Sequence, residues 1–134
     1  MTSNVTLRAA HGSATTLSSG ETLSVTIDGR PEVSGKLLGI AVAGCYANTL
    51  LAKAAARGIW VRSLDVAVEI EWLDNPLRTR GVTIDVQIEA DGDEPDVREL
   101  AEHADRSSEV ANSIRLGVPV RVARLRVGAP RHGT

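Results

Sequence analysis

Between Gly35 and Arg57 the chain reads GKLLGIAVAGCYANTLLAKAAAR, a stretch free of proline and dense in Ala and Leu. Those residues are strong helix formers, and Gly58 stands where a left-handed stop is expected, so the segment predicts one helix of about six turns. Leu37, Leu38, Ile40, Ala41, Val42, Cys45, Ala47, Leu50, Leu51 and Ala52 leave few polar positions ahead of Lys53, which makes the helix apolar on most of its faces. Such a helix belongs inside something. At 134 residues the chain is sized for a single domain, 1–134, and one sheet in so small a domain covers only one side of the helix. A second copy of the chain is the natural cover for the other side, which predicts a homodimer.

The remaining elements follow from period-two and helical patterns. Val5, Leu7 and Ala9, then Leu23, Val25 and Ile27, alternate with polar or small residues and predict two strands joined across a Gly/Ser/Thr-rich turn region from Gly12 to Gly20. Leu64 to Trp72 and Val82 to Ile88 each alternate an apolar face with Asp, Glu, Thr and Gln, and Asp74-Asn75-Pro76 supplies the turn of an antiparallel pair. Asp93 to Arg106 predicts a polar helix with Pro95 in its first turn and a narrow stripe of Val97, Leu100, Ala101 and Ala104. A short helix from Glu109 to Arg115 and a strand from Val118 to Val127 close the order. The fold class is α+β with an antiparallel sheet.

Composition removes several functions. The net charge of −2 gives no general pull toward nucleic acid or acidic membranes, and with Trp60, Trp72 and Tyr46 as the only aromatics there is little for bases to stack on. Arg121, Arg124, Arg126 and Arg131 read instead as a solvated strand edge. Met1 to Asn4 lacks the basic start of a signal peptide, and no unbroken apolar run reaches the roughly 18 residues of a membrane span, so a cytoplasmic protein is expected. One cysteine excludes an intramolecular disulfide, and three scattered histidines make a zinc site improbable. The acidic group Asp91, Asp93, Glu94 and Asp96 lacks calcium-loop spacing, and the glycines follow no phosphate-binding fingerprint, so neither metal nor cofactor is expected.

The run Lys36-Leu37-Leu38-Gly39-Ile40-Ala41-Val42-Ala43-Gly44-Cys45-Tyr46 resembles the central helix of OsmC/Ohr proteins, in which a Leu-rich start leads through small residues into Ala-Cys-aromatic. Ala104 to Asn112, reading ADRSSEVAN, is similar to that family's second motif, typically Ala-x-x-x-Cys-Pro-Val-Ser-Asn. The resemblance implies antiparallel sheets wrapped around buried central helices in an intertwined homodimer. It also implies a thiol-dependent hydroperoxide reductase: the helix cysteine attacks a peroxide oxygen, becomes a sulfenic acid and condenses with the second cysteine, and an external thiol such as a dihydrolipoyl protein regenerates it. On this sequence the first cysteine is Cys45. The second is replaced by Ser108, and Glu109 replaces the proline after it. The family's glutamate position falls on Gly35, with Glu32 three residues early, and its strand arginine falls near Ala10, with Arg8 two residues earlier on the same strand face.

Physical chemistry weighs against an automatic role for Cys45. Peroxide attack needs a thiolate, and a free cysteine with a pKa near 8.5 is only a few per cent ionised at neutral pH. Cys45 lies about three turns into its helix, beyond the reach of the helix dipole, and burial pushes a thiol upward, so only a nearby cation is expected to activate it. Without one, a lone cysteine among Ala and Gly is a small buried hydrophobe. Ser108 likewise reads either as a donor to a sulfenate or as an ordinary N-cap. Two functions stay open. One is a one-cysteine hydroperoxide reductase with Cys45 peroxidatic and Ser108, Arg8 and Glu32 in support; the other is a catalytically degenerate dimer of this fold that binds a small apolar ligand or serves a non-enzymatic stress role.

Overall fold

The computed structural model describes residues 2–11, 16–18 and 32–128, those at 2–9, 16–18, 32 and 33 by their backbone alone. The elements are β1 (Thr2–Ala9), β2 (Thr16–Ser18), α1 (Glu32–Ala56), β3 (Trp60–Leu73), β4 (Arg78–Asp91), α2 (Glu94–Ser107), α3 (Glu109–Ile114) and β5 (Val120–Gly128). They form one five-stranded sheet in the order β2-β1-β3-β4-β5, with α1 and α2 packed against it and α3 against those two helices. The expected α+β class holds.

Each long element forms for the reason its pattern suggests. Alternation is literal in β3 and β4: Leu64, Val66, Val68, Ile70, Val82, Ile84, Val86 and Ile88 are buried on one face, while Glu69, Glu71 and their neighbours face water. The tight turn between these strands is made by Asn75, whose φ of 56° suits a residue that tolerates the left-handed region. In α2 the buried stripe is Val97, Leu100, Ala101 and Ala104, as its spacing requires. At the end of α1, Gly58 takes a φ of 71°; Ile59 N–H donates to Ala54 O at 2.9 Å and Gly58 N–H to Ala55 O at 3.2 Å. This paired stop satisfies carbonyls that the helix end would otherwise orphan.

Two features differ from the sequence expectation. The sheet is not wholly antiparallel, because β5 runs parallel to β4 from Val82↔Val120 to Glu89↔Gly128. The physical reason is the connection: α2 and α3 form a crossover that returns the chain to the starting end of β4, whereas a hairpin would have reversed it. Within the region expected to be a turn, Thr16–Ser18 forms a short strand that pairs with β1. The strand expected over Leu23, Val25 and Ile27 lies outside the described residues.

The core is aliphatic, with Tyr46 its largest fully buried side chain, and α1 contributes Val42, Ala43, Tyr46, Ala47, Leu50 and Ala54 to it. Among the described residues nothing covers the opposite side of α1: Leu37, Ala41, Asn48 and Ala52 are exposed, with Leu38, Ile40, Gly44 and Leu51 half-buried beside them. By length and composition Ser34–Ala56 would suffice to cross a membrane, even though Lys36, Asn48 and Lys53 interrupt its apolar run. Its other face, however, packs on the sheet and on α2 as a core helix does.

Candidate functional site

Cys45 lies midway along α1, half-buried, beside the uncovered stripe of Ala41, Gly44 and Asn48. What reaches it comes from the corner where α2 ends and α3 begins. Ser108, the single residue between those helices, is buried, and its hydroxyl donates to Cys45 Sγ at 3.5 Å. Burial raises the thiol, but hydrogen bonds to the sulfur from the backbone N–H of Val110, the Ser108 hydroxyl, the backbone N–H of Glu109 and the Thr49 hydroxyl together outweigh it, and Cys45 is held below the ordinary cysteine value. Donors aimed at a charged form stabilise that form.

This corrects the expectation that only a cation could activate the thiol. The first turn of α3 lies against the sulfur, and neutral donors rather than a cation lower the thiol. Because α3 is remote in sequence from α1, the dipole of Cys45's own helix was the wrong one to consider. Ser108 occupies the N-cap position of α3 but makes no side-chain capping bond, so its hydroxyl is committed to the sulfur.

The other sequence-predicted residues are placed by backbone. Arg8 lies in β1 opposite Asp65 of β3 and Thr16 of β2. Glu32 opens α1, thirteen residues and hence about 20 Å of helix axis before Cys45. The side chains of Arg8 and Glu32 lie outside the described residues. Sequence pattern did not single out Thr49, although its spacing of four from Cys45 puts it on the same helix face, nor the amides of Glu109 and Val110, which carry no side-chain signature.

Around this corner the polar groups are paired. Tyr46 O–H donates to Ala101 O of α2 at 3.0 Å, and burial together with the nearby Asp105 carboxylate pushes its phenol well above the ordinary range. Arg115 donates to Asp105 Oδ1 at 2.6 Å, Asp105 O at 3.2 Å, Asn112 Oδ1 at 2.8 Å and Val120 O at 3.0 Å. Farther along α2, Glu99 is hydrogen-bonded by Arg57 and lies near Arg106, and His103 beside them is held below its ordinary value by desolvation and the charges of Lys53, Arg57 and Arg106. Among the described residues no three His, Cys, Asp or Glu side chains gather as a metal site. A cleft of about 670 Å³ runs between α2 and β5 under Arg98, Arg106, Arg121 and Arg124, and Cys45 does not line it.

The fold is shared with known proteins. The OsmC-like protein of Mycoplasma pneumoniae superposes with a TM-score of 0.63 at 19% identity, over 94% of this chain and 96% of that one. The organic hydroperoxide resistance protein OhrB of Bacillus subtilis gives 0.57 at 19% identity, over 90% and 96%. An OsmC-like protein of unknown function from Vibrio cholerae gives 0.58 at 17% identity, over 66% of this chain and 61% of that one, so the match spans less than two thirds of that relative's length. No curated protein sequence matches the chain. The sequence profile for OsmC-like protein matches residues 33–123, which hold both Cys45 and Ser108 and most of the fold; the chain belongs to the OsmC-like protein family.

Proposed function

We propose that the protein is a thiol-dependent hydroperoxide reductase that uses Cys45 alone. The observation that carries this reading is the set of neutral donors on Sγ, with Ser108 Oγ at 3.5 Å, around a thiol that is only half-buried. An inert core cysteine would have neither access nor a reason for donors. The thiolate attacks one peroxide oxygen, the O–O bond breaks, the sulfur is oxidised to the sulfenic acid, and the departing alkoxide takes up a proton to leave as an alcohol. Ser108 cannot form a disulfide, so the sulfenic acid condenses with an external thiol, releasing water, and a second external thiol reduces that mixed disulfide back to Cys45. The names of several structural neighbours, which refer to organic hydroperoxide resistance, agree with a role in peroxide stress.

The working form in this reading is a cytoplasmic homodimer. The exposed stripe of Leu37, Ala41, Asn48 and Ala52 supports a second copy as its cover, since small residues allow two such helices to approach closely. That stripe borders Cys45, so the partner would also form part of the pocket wall that receives the peroxide.

The test is rapid mixing of reduced protein with cumene hydroperoxide. Thiol loss much faster than for free cysteine, absent in Cys45→Ser, is expected. A rate no faster than free cysteine would instead favour the second reading, which the missing second thiol at Ser108 supports: a degenerate dimer that binds a small apolar molecule.

A further inference from the structure

Helix α3 is too small to hold itself in place. It has six residues; Ala111 is fully buried, and Val110 and Ile114 pack half-buried against the core. Its link to α2 is a single residue, Ser108, in extended conformation with φ −75° and ψ 108°. Yet the Ser108 hydroxyl and the first two amides of α3 must stay aimed at Cys45 Sγ. Apolar burial of one alanine and two half-buried side chains is non-directional, so directed polar contacts are what fix the orientation.

The fixing contacts run from the far end of α3 back to the last turn of α2. Arg115 donates to both the main-chain and the side-chain oxygen of Asp105, at 3.2 and 2.6 Å. Asn112 Nδ2 donates to Arg106 O at 2.9 Å, and Asn112 Oδ1 accepts from Arg115 at 2.8 Å. Arg115 Nε adds Val120 O at the start of β5, at 3.0 Å. Thus two of the last carbonyls of α2 are taken by side chains of α3 and its C-cap: Arg106 O by Asn112, and Asp105 O, which also accepts the Ser108 N–H, by Arg115. The Arg115 and Asp105 side chains are 26% and 25% exposed, against 61% and 53% for Arg106 and Glu99, so this pair is the better shielded. The planar fork of a guanidinium fixes direction as well as distance, which a lysine would not.

We infer that Arg115 and Asn112 are positioning residues for Cys45: by clamping α3 onto the end of α2 they hold the Ser108 hydroxyl and the Glu109 and Val110 amides against the sulfur, and so set its reactivity. The inference rests on the proposed role of Cys45 as an attacking thiolate. In the last turns of α2 the charged groups are Glu102, Asp105 and Arg106, and α3 with its C-cap carries Glu109 and Arg115; α1 has none within a turn of Cys45. Burial opposes a thiolate, so the donors must be well placed to prevail. The contact from Ser108 is already long at 3.5 Å, and a small tilt of α3 would lose it.

The test is the pH profile of Cys45 alkylation by iodoacetamide in the native full-length protein, with folding checked by circular dichroism. In Arg115→Met the profile moves toward that of free cysteine, and alkylation at neutral pH slows roughly three- to tenfold. Asn112→Ala, which removes no charge, moves it in the same direction, and Arg115→Lys behaves as Arg115→Met because it keeps the charge but not the fork. A wild-type profile in Arg115→Lys beside a shifted one in Arg115→Met would overturn the clamp in favour of simple charge. Folded Arg115→Met and Asn112→Ala proteins with unchanged profiles would overturn it outright, and if Arg115→Met does not fold, Asn112→Ala decides. Shifted profiles in a protein that ignores cumene hydroperoxide would keep the clamp and remove the peroxidase reading; Cys45-dependent peroxide reduction with unshifted profiles would do the reverse.

Discussion

Cys45 and Tyr46 are consecutive residues on one helix, yet their surroundings push their proton affinities in opposite directions: the thiol down, the phenol up. A step of one residue turns a helix by about 100°, so the first meets hydroxyls and the amide-rich start of α3 while the second meets a carbonyl in α2. Burial acts the same way on both, favouring the neutral form. What separates them is the polarity of the neighbour: donors favour the anion of Cys45, whereas the Ala101 carbonyl accepts from Tyr46 and needs its proton in place. Asp105 links the two, since its carboxylate opposes a phenolate while anchoring the Arg115 that holds α3. A thiol ordinarily ionises before a phenol, and the neutral dipoles around these two neighbours widen that gap. The contrast is experimentally clean because the chain contains one cysteine and one tyrosine.

The largest expected effect is on stability and separates a structural residue from a chemical one. Tyr46 is fully buried, so Tyr46→Ala removes a large side chain from a packed core and should cost about 3–5 kcal/mol in urea unfolding. Cys45→Ala, at a half-buried position, should cost less than about 1 kcal/mol while removing all thiol chemistry. Equal costs for the two would break the division.

Next in size is the alkaline limb. The folded phenol lies above its unfolded value near 10, so the stability carried by neutral Tyr46 is complete below that pH and is lost as pH rises past it toward the folded value. Tyr46→Phe lacks this loss. Its deficit from the missing hydrogen bond, about 1 kcal/mol at neutral pH, should shrink above pH 10. The thiol runs the other way: with its folded value below its unfolded one, its contribution is present above the ordinary cysteine range and fades as pH falls through the folded value. The stability difference between wild type and Cys45→Ser should accordingly grow as pH rises toward about 9. Parallel pH trends for the two residues would contradict opposite polarity at their sites.

Much of this frame is legible in sequence, and the boundary of legibility is physical. The buried stripes of β3, β4 and α2 obey local periodicity, and the uncovered side of α1 follows from apolar residues all round a helix in a small chain. The parallel placement of β5 depends on how α2 and α3 return the chain, which no alternation encodes. At the site, the address Cys45 and its partner position Ser108 were readable through motif resemblance. The donors that lower the thiol were not, because two of them are backbone amides more than sixty residues away, and an amide has no sequence identity. Ser108 shows the same limit: local rules assign it a cap, and only the tertiary approach of α1 gives its hydroxyl a better partner.

A smaller, chemical effect tests that approach directly. Ser108→Ala deletes one of four donors to the sulfur while leaving the α3 amides in place. The thiol should rise only part of the way to the free-cysteine value, and native alkylation at neutral pH should slow by about two- to fivefold. Complete loss of the shift would mean that Ser108 alone carries it and that the amides of Glu109 and Val110 are bystanders.

The smallest expected effect comes from the place with the most formal charge. Glu99 is hydrogen-bonded by Arg57, lies near Arg106 and His103, and is held below the usual carboxylate range mainly by that Arg57 bond. All of these groups face solvent, where water and salt screen charges beyond a Debye length of about 8 Å and ordering long side chains offsets what attraction remains. Glu99→Gln should therefore leave both the thermal midpoint and the Cys45 alkylation profile unchanged within measurement, and adding salt to the wild-type protein should not move the thiol. A profile that shifts in Glu99→Gln, or drifts with salt, would show that long-range charge reaches the sulfur. In that case the lowered thiol could no longer be assigned to donors within hydrogen-bond distance, and the contrast between Cys45 and Tyr46 would be one of net potential rather than of aimed dipoles.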